Sequence, residues 1–301
     1  MKSTHRESKA SLWVLKIGGE LLDQPPLLEA FLTHFVQLPG NKILIHGGGK
    51  QASALARKLG HVPRMIDGRR ITDAPMLEVV TMVYGGLINR QLVARLVALG
   101  CPAVGLTGAD GDIIRAQRRP AHPIDYGFVG DIEAVQTQFL IHLLEAGITP
   151  VLAPLTHDGH GSLLNTNADT IATAVATALN GRFTTTLFFA VDKAGVLEDP
   201  ADPSTLLPQL SYSQFQSLKQ AGVIQGGMLP KLENGFRALQ AGVSAVWIGH
   251  GQVIQELPGA GELPATRLVA ASESAANREP NASKATHCNH ANQSTNRKAQ
   301  L

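Results

Sequence analysis

Two stretches of the chain decide its fold: LWVLKIGG at residues 12–19 and KILIHGGGK at residues 42–50. Each joins a short apolar run, long enough for a buried strand, to a turn rich in glycine. Between them, residues 25–38 carry apolar side chains at helical spacing, among them Phe31 and Phe35. The order of strand, helix and strand predicts two parallel strands that are connected by a helix.

The same alternation continues outward to about residue 270. Further strands are predicted at residues 103–106, 148–153, 184–191 and 244–248, with a hairpin near 112–116 and 128–135. Further helices are predicted from the glycine turn to about residue 59 and at residues 75–99, 137–146, 167–180, 211–221 and 228–241. Such alternation is typical of parallel strands between two layers of helices, with ligands outside the carboxyl ends of the strands. The sequence therefore predicts an α/β fold with a mainly parallel sheet.

The composition is that of a folded protein with no strong charge. Of the 301 residues, 44% are apolar and 17% are charged, and the formal net charge is +2. Without residues 271–301, basic and acidic side chains balance at 22 each, so we expect no nucleic-acid partner. Neither a secretory signal nor an apolar run of membrane-spanning length is visible, so we expect a cytoplasmic protein without membrane association. The two cysteines, Cys101 and Cys288, predict no structural disulfide, and Cys101 is expected near the core.

The composition changes at about residue 272, where Ala, Asn, Ser and Thr begin to dominate. Such a segment buries too little apolar surface to offset the entropy lost on ordering. We predict a disordered tail over residues 271–301, after an ordered region over residues 11–270.

Either glycine-rich turn could bind an anion, because glycine lets the backbone approach closely and the following helix offers free N–H groups. A P-loop is excluded, since it needs glycine at position 44 and Ser or Thr at position 51, where the chain has Leu44 and Gln51. The spacing G-x-G-x-x-G of dinucleotide-binding turns is also missing from residues 47–49. A tight turn before a helix remains the alternative for either loop taken alone.

Two further segments place polar side chains at helix starts. Residues 165–169, Asn-Thr-Asn-Ala-Asp, combine two amides and a carboxylate, which suits a binding site and a helix cap equally. In residues 226–231, Gly-Gly-Met-Leu-Pro-Lys, a glycine pair leads into a helix whose first turn carries a lysine. The helix dipole disfavours a cation there, which indicates a role, although a solvated lysine remains the alternative.

Taken in order, these segments resemble the motifs of N-acetylglutamate kinases, which have the amino-acid-kinase fold. The full set of seven motifs lies at residues 16–19, 46–50, 68–72, 105–108, 126–131, 165–169 and 226–231. The resemblance spans residues 12–249. It implies a three-layer αβα sandwich with a mainly parallel central sheet and two lobes. The acylglutamate-binding lobe would cover residues 11–180 and the nucleotide-binding lobe residues 181–270.

The resemblance implies a role for each matching residue. Catalysis is assigned to Lys16 and Lys231, which neutralise the transferring phosphoryl group, and to Asp169, which orients both lysines. Substrate binding is assigned to Gly48, Gly49, Arg70 and Asn165. Nucleotide binding is assigned to Gly18, Gly19, Asp192, Gly195, Gly226 and Gly227. No residue is assigned to a metal, because Mg²⁺ would be carried by the phosphates of ATP.

The implied reaction is ATP-dependent phosphorylation of the γ-carboxylate of N-acetylglutamate, an early step of arginine biosynthesis. A γ-carboxylate has a reference pKa of about 4.3, so it is ionised at pH 7 and needs no general base. This agrees with motifs that hold lysines and glycines and no placed histidine. Another N-acylglutamate, such as N-succinylglutamate, is the alternative acceptor. A non-catalytic metabolite-binding module is a second alternative, although it would be expected to have lost Lys16, Asp169 or Lys231.

The resemblance also bears on assembly. Eleven residues precede the first predicted strand at Leu12. Arginine-inhibited relatives carry a longer N-terminal helix that builds a hexamer. The resemblance therefore implies a homodimer that is insensitive to arginine.

Overall fold

The computed structural model describes residues 9–66, 68–256 and 263–270. The strands in these ranges are β1 Ser11–Ile17, β2 Asn41–His46, β3 Met65–Ile66, β4 Arg69–Arg70, β5 Ala103–Leu106, β6 Ile114–Arg118, β7 Gly130–Val135, β8 Thr149–Leu152, β9 Leu155–His157, β10 Leu163–Asn165, β11 Thr184–Val191, β12 Gln209–Ser211, β13 Ala245–His250 and β14 Ala265–Val269. The α-helices are α1 Gly19–Leu22, α2 Pro25–Gln37, α3 Gly49–Lys58, α4 Ala74–Val80, α5 Asn89–Ala98, α6 Thr137–Glu145, α7 Ala168–Leu179, α8 Tyr212–Gln220 and α9 Met228–Gln240. A π-helical segment, Thr81–Ile88, joins α4 to α5, and short 3₁₀ turns cover Asp110–Asp112, Pro203–Thr205 and Gly251–Gln255. The tail over residues 271–301, predicted to be disordered, lies outside the described residues.

The central sheet has eight strands in the order β12-β14-β13-β11-β1-β2-β8-β5. The six strands from β13 to β5 are parallel. At the other edge, β14 is antiparallel to β13, and β12 is parallel to β14. A four-stranded sheet, β10-β9-β6-β7, and the hairpin β3-β4 lie outside the central sheet. The predicted α/β fold with a mainly parallel sheet is confirmed.

Alternate side chains of the central strands enter two separate cores. Val14 and Ile43 pack in the core that also holds the apolar faces of α7 and α9. Leu15 and Leu44 pack in the core that holds those of α2 and α5. A period of two is what a sheet between two helix layers requires. Each fully buried large side chain contributes about 1.5–3 kcal/mol to folding. Because both faces of the sheet are buried in this way, each face is covered by a layer of helices, which gives three layers.

The helix predicted over residues 75–99 is present, but it is not uniform. Asp73 caps its start, with Oδ1 accepting a hydrogen bond from the N–H of Met76 at 3.0 Å, and Gly100 follows its end with a φ of +78°. Its middle, Thr81–Ile88, is π-helical. The wider turn changes which side chains face the sheet, and no apolar period in the sequence reveals it.

Several short strands were not predicted from the sequence, namely β3, β4, β9, β10, β12 and β14. They contain two to five residues each, which is too short for a recognisable period. Two of them matter for the site, because β4 carries Arg70 and β10 carries Asn165. Cys101 is buried, as predicted.

The central sheet spans the predicted lobe boundary between residues 180 and 181. The first strand, β1, pairs with β2 on one side and with β11 on the other. The two predicted lobes therefore share one sheet, and their division stays a prediction. No helix within the described ranges is long and apolar enough to cross a membrane.

Candidate active site

Lys16, Asp169 and Lys231 come together at the carboxyl end of β1. Lys16 is the last residue but one of β1, Asp169 lies in the first turn of α7, and Lys231 lies at the end of the first turn of α9. The Nζ of Lys16 lies 2.7 Å from Oδ1 of Asp169. The Nζ of Lys231 lies 3.2 Å from Oδ2 of the same carboxylate. One carboxylate therefore binds two basic groups that reach it from different elements.

The surroundings of this trio are largely dry. The side chains of Lys16 and Asp169 are 7% and 6% exposed, and that of Lys231 is 16% exposed. Burial alone would raise the pKa of Asp169, but the two lysines together hold it below its ordinary value. Burial lowers the pKa of Lys16, an effect that Asp169 opposes and Lys231 strengthens. Two basic groups share one ionised carboxylate, so their positive charge is only partly neutralised. This favours an anion bound next to them.

The start of α7 serves as a helix cap and also supplies a residue of the trio. The side-chain oxygen of Asn167 accepts hydrogen bonds from the N–H groups of Asp169 and Thr170, at 2.7 and 3.2 Å. This cap fixes the first turn of α7, where the helix dipole favours the charge of Asp169. The helix-cap interpretation of this segment is confirmed at Asn167, and the binding-site interpretation stays a prediction.

Lys231, at the start of α9, is largely buried and is not a solvated surface lysine. The alternative that the sequence left open for this residue is therefore wrong. The Nζ of Lys231 donates to the carbonyl oxygen of Gly227 at 3.1 Å and also contacts Asp169. Lys231 is therefore held on two sides. The nearby carboxylate offsets the unfavourable interaction between a cation and the start of a helix.

The two glycine-rich turns lie side by side next to Lys16. The N–H of Gly47 donates to the carbonyl oxygen of Ile17 at 2.9 Å, which joins the second turn to the first. A Cβ atom on Gly18 would lie 4.0 Å from the Nζ of Lys16. In the described part of the chain, no group accepts a hydrogen bond from the N–H of Gly48 or Gly49. These free donors at the start of the ten-residue helix α3 form a corner that is suited to an anion.

Arg70 lies beside this corner as a buried cation. One of its Nη atoms donates to the carbonyl oxygen of Gly49 and to Oγ of Ser53, each at 2.8 Å. The residue is only 8% exposed, and it forms no ion pair with any carboxylate of the described residues. A buried guanidinium without an anion is costly, so this arrangement favours an anionic ligand.

Asn165 is joined to the same side of the site. Its Nδ2 donates to Oγ1 of Thr72 at 2.9 Å, and Oγ1 of Thr72 lies 3.3 Å from the carbonyl oxygen of Arg70. The structure therefore brings the predicted substrate-binding residues into one connected group. This group adjoins the glycine turns.

A cleft of about 740 Å³ opens on the other side of the trio. It is lined by the end of β11, the segment after it and the start of α9, and its lining includes Asp192, Gly195, Gly227 and Lys231. This volume is in the range of small-molecule and cofactor sites. Gly226 directly precedes the lining residue Gly227. Of the other predicted nucleotide-binding residues, Gly18 and Gly19 lie outside this lining, next to Lys16 and the second glycine turn.

Gly195 shows why one position of the cleft needs glycine. A Cβ atom there would lie 2.5 Å from Oγ1 of Thr266 and 2.9 Å from its backbone nitrogen. The same hydroxyl accepts a hydrogen bond from the N–H of Val196 at 2.8 Å. A larger residue would disrupt this bond and move the wall of the cleft.

The arrangement places the trio next to a nucleotide-sized cleft and next to a corner with free N–H donors, both of which could hold an anion. The chain also matches the model of the Amino acid kinase family over residues 11–250. It belongs to this family. The match includes every element that contributes to the site.

Curated relatives agree with membership of the amino acid kinase family. The chain is 50% identical over 260 residues to the acetylglutamate kinase of Cytophaga hutchinsonii, with 86% of this chain and 98% of the relative covered. It is 51% identical over 240 residues to the acetylglutamate kinase of Bacteroides fragilis, with 80% and 92% covered.

Solved structures show the same fold. The N-acetylglutamate synthase of Neisseria gonorrhoeae superposes with a TM-score of 0.73 at 24% identity, covering 87% of this chain and 59% of that one. The carbamate kinase of Giardia lamblia superposes with a TM-score of 0.64 at 15% identity, covering 88% and 99%. At these identities the likeness establishes the amino-acid-kinase fold alone.

Two further residues of the site, Ser53 and Thr72, were not predicted from the sequence. Ser53 lies one helical turn after Gly49, on the face of α3 that meets Arg70, so helical spacing could have indicated it. Thr72 closes one of the seven motifs and links Asn165 to the strand of Arg70. Its partners are distant in sequence, so no local pattern points to it.

Proposed function

We propose that this protein transfers the γ-phosphoryl group of ATP to the γ-carboxylate of N-acetylglutamate, forming N-acetylglutamyl 5-phosphate in arginine biosynthesis. Relatives about half identical to the chain over most of its length carry the name acetylglutamate kinase. The observation that carries the proposal is the carboxylate of Asp169 shared by two lysines. Lys231 reaches it from the nucleotide-sized cleft and Lys16 from beside the glycine turns.

The chemistry needs charge neutralisation more than proton transfer. An oxygen of the acceptor carboxylate attacks the γ-phosphorus, the bond to the β,γ-bridging oxygen breaks, and ADP leaves with that oxygen. No proton moves, because the acceptor is already ionised at neutral pH. In the transition state, negative charge spreads over the oxygens of the transferring group. Lys16 and Lys231 stabilise it from two sides, and Asp169 keeps both in place.

The acceptor side suits a molecule that carries two carboxylates. Arg70 is a buried cation that pairs with no carboxylate among the described residues, and it would hold the acceptor carboxylate that does not react. The free N–H groups of Gly48 and Gly49 would bind the reacting end of the acceptor. Asn165 would hold its main body.

We infer that Mg²⁺ enters on the phosphates of ATP. Among the described residues, no three His, Cys, Asp or Glu side chains lie close enough to hold a metal ion. Both oxygens of Asp169, the buried carboxylate of the site, are occupied by lysines. A magnesium ion that keeps several waters and binds mainly to phosphates needs no more than this. Its chemical contribution would be to neutralise phosphate charge.

An acceptor panel tests the proposal. With ATP, N-acetylglutamate should release ADP and form an acyl phosphate that hydroxylamine traps. Free glutamate should be a poor acceptor, because its ammonium group would lose its hydration in a pocket shaped for an amide. Equal turnover of glutamate and N-acetylglutamate would contradict the assignment.

The panel also separates the alternatives. N-succinylglutamate replaces N-acetylglutamate as the assigned substrate if its kcat/KM is higher. A non-catalytic binding module would bind an acylglutamate in calorimetry and release no ADP with any acceptor. The Lys231→Ala variant serves as the matched blank for ATP hydrolysis by contaminants.

We further infer that the active form is a homodimer and that it works in the cytoplasm, where ATP is supplied. Met82 and Leu87, both on the π-helical segment, are 49% and 51% exposed. These two side chains offer an apolar surface that a second copy of the chain would cover. Light scattering should give twice the mass of the chain, and a monomer or a hexamer would contradict this inference.

A further inference from the structure

His46 is fully buried at the end of β2, directly before the second glycine turn, and it takes no part in the proposed reaction. Its Nδ1 lies 2.7 Å from the carbonyl oxygen of Gly47, and its Nε2 lies 3.2 Å from Nδ2 of Asn89. A carbonyl oxygen only accepts, so Nδ1 carries the hydrogen. An amide nitrogen only donates, so Nε2 is the acceptor. Both ring nitrogens are then satisfied in the neutral imidazole.

Asn89 is itself fixed in orientation. It is fully buried, and its Nδ2 also donates to the carbonyl oxygen of Val151, on β8, at 2.9 Å. This second bond determines which end of the amide faces His46. On β5, Gly105 leaves room for the amide, because a Cβ atom there would collide with Oδ1 of Asn89. The tautomer of His46 is therefore set by a residue that two strands hold in place.

The environment keeps His46 neutral. Burial lowers its pKa to about 4, and the hydrogen bond to Gly47 opposes this shift only partly. His46 therefore stays uncharged at every pH above about 5. It acts as a fixed donor toward the glycine turn.

The bond from His46 orients one peptide of that turn. The carbonyl of Gly47 and the N–H of Gly48 belong to the same trans peptide, so they point in opposite directions. When the carbonyl is drawn toward the imidazole, the N–H of Gly48 points away from it. A flipped peptide would turn a carbonyl oxygen toward an anionic ligand and repel it.

The helix that holds Asn89 also holds the turn directly. Gly48 has a φ of +150°, and a Cβ atom on it would lie 3.1 Å from the ring of Tyr84 and would collide with Ile88. Both side chains belong to the π-helical segment that ends next to Asn89. The turn is thus packed on one side by this segment and bonded on the other to a histidine that the same helix orients.

We propose that His46 and Asn89 are positioning residues for the acceptor: Asn89 selects the tautomer of His46, and His46 holds the Gly47–Gly48 peptide so that the N–H of Gly48 faces the acylglutamate. This inference rests on the proposed function, because it takes the second glycine turn as the acceptor site. Neither residue touches the acceptor.

The first test removes the bond to the turn. The His46→Leu variant should raise the KM for N-acetylglutamate about tenfold, the value of one hydrogen bond that is lost at a binding site, and leave the KM for ATP within about twofold. The His46→Asn variant keeps a short donor near Gly47 and should recover most of the loss. His61→Leu, at an exposed histidine beyond α3, is the matched control.

The second test changes the partner of the ring. In the Asn89→Asp variant a carboxylate, which only accepts, faces Nε2, so His46 is driven to take a second proton and its pKa rises. The KM for the acceptor should then depend on pH between about 5 and 8, where the wild type shows no titration from this residue. With a merely structural role, the KM for the acceptor would not follow this ionisation.

A spectroscopic measurement on the wild type completes the experiment. Nitrogen-15 spectra of histidine-labelled protein should show His46, assigned by its loss in His46→Asn, as the Nδ1–H tautomer. The Nε2–H tautomer would overturn the inference, as would unchanged acceptor KM values in both variants or an equal rise of both KM values with a fall in Tm. If the variants are inactive while the wild type converts N-acetylglutamate, a fall in Tm in both variants decides the matter against positioning. A wild type that converts no acylglutamate would instead overturn the proposed function, and this inference with it.

Discussion

Replacing Lys231 with alanine should lower kcat about 10²–10³-fold, the usual cost of losing one preorganised electrostatic contact to the transition state. The ammonium group of Lys231 lines the nucleotide-sized cleft and lies 3.2 Å from Asp169. Its charge matters most when negative charge moves onto the transferring group, so the loss should appear in kcat more than in KM. Steady-state kinetics with both substrates varied would measure this split.

The design includes variants at each member of the trio. Lys16→Ala should cost a similar factor, and Asp169→Asn should cost less because it keeps the size and part of the hydrogen bonding. Lys231→Arg should not restore full activity, since a planar guanidinium does not replace a compact ammonium group. The matched control is Lys219→Ala, because Lys219 is partly exposed, pairs with Glu233 and lies away from the trio.

The pH dependence adds an independent readout. Lys16 works as a cation, and its pKa lies below the ordinary value of a lysine because of burial. Activity should therefore be full on the acid side of this pKa and fall as pH rises through it, at a lower pH than an ordinary lysine would give.

If Lys231→Ala raised only the KM for ATP and left kcat intact, Lys231 would be a nucleotide anchor, and its catalytic assignment would be wrong.

The sequence predicts the central strands and the long helices well, because each has a clear period over four or more residues. β11 at Thr184–Val191 matches its prediction residue by residue, and α8 at Tyr212–Gln220 lies within one residue of its predicted bounds at each end. The unpredicted strands, of two to five residues, are too short for a reliable period, and a widened helical turn leaves no signal in the sequence. Tertiary contacts determine them.

In the site, too, contacts between residues that are distant in the sequence could not be predicted from local patterns. Asp169 and Lys231 are 62 residues apart in the chain, so no local spacing reveals their contact, and only the order of the seven motifs indicated it. The bond between Arg70 and Ser53 was missed, because it depends on how the hairpin β3-β4 packs on α3. The roles of these residues stay predictions that kinetics must test.

Arg70→Met should raise the KM for N-acetylglutamate roughly 10²-fold and leave the KM for ATP almost unchanged. Truncating one partner of a desolvated charge pair typically costs about 2–5 kcal/mol, and in the bound state the acceptor carboxylate would be that partner. Arg70→Lys should recover only part of the loss, because lysine cannot donate through a planar fork to Gly49, Ser53 and a carboxylate together.

Arg70→Met should weaken binding of the acceptor, but it should not lower the stability of the protein without a ligand. In the absence of an acceptor, Arg70 is 8% exposed, and its hydrogen-bond partners among the described residues are all neutral. Removing its charge should therefore leave Tm unchanged or raise it, while the increase in Tm that N-acetylglutamate causes in the wild type should disappear. Arg57→Met, at an exposed residue near the end of α3, should keep both the wild-type KM and the ligand-induced rise in Tm. A wild-type KM in Arg70→Met would show that the acceptor carboxylate binds elsewhere, and a large fall in Tm with both KM values raised would show that Arg70 only supports the fold.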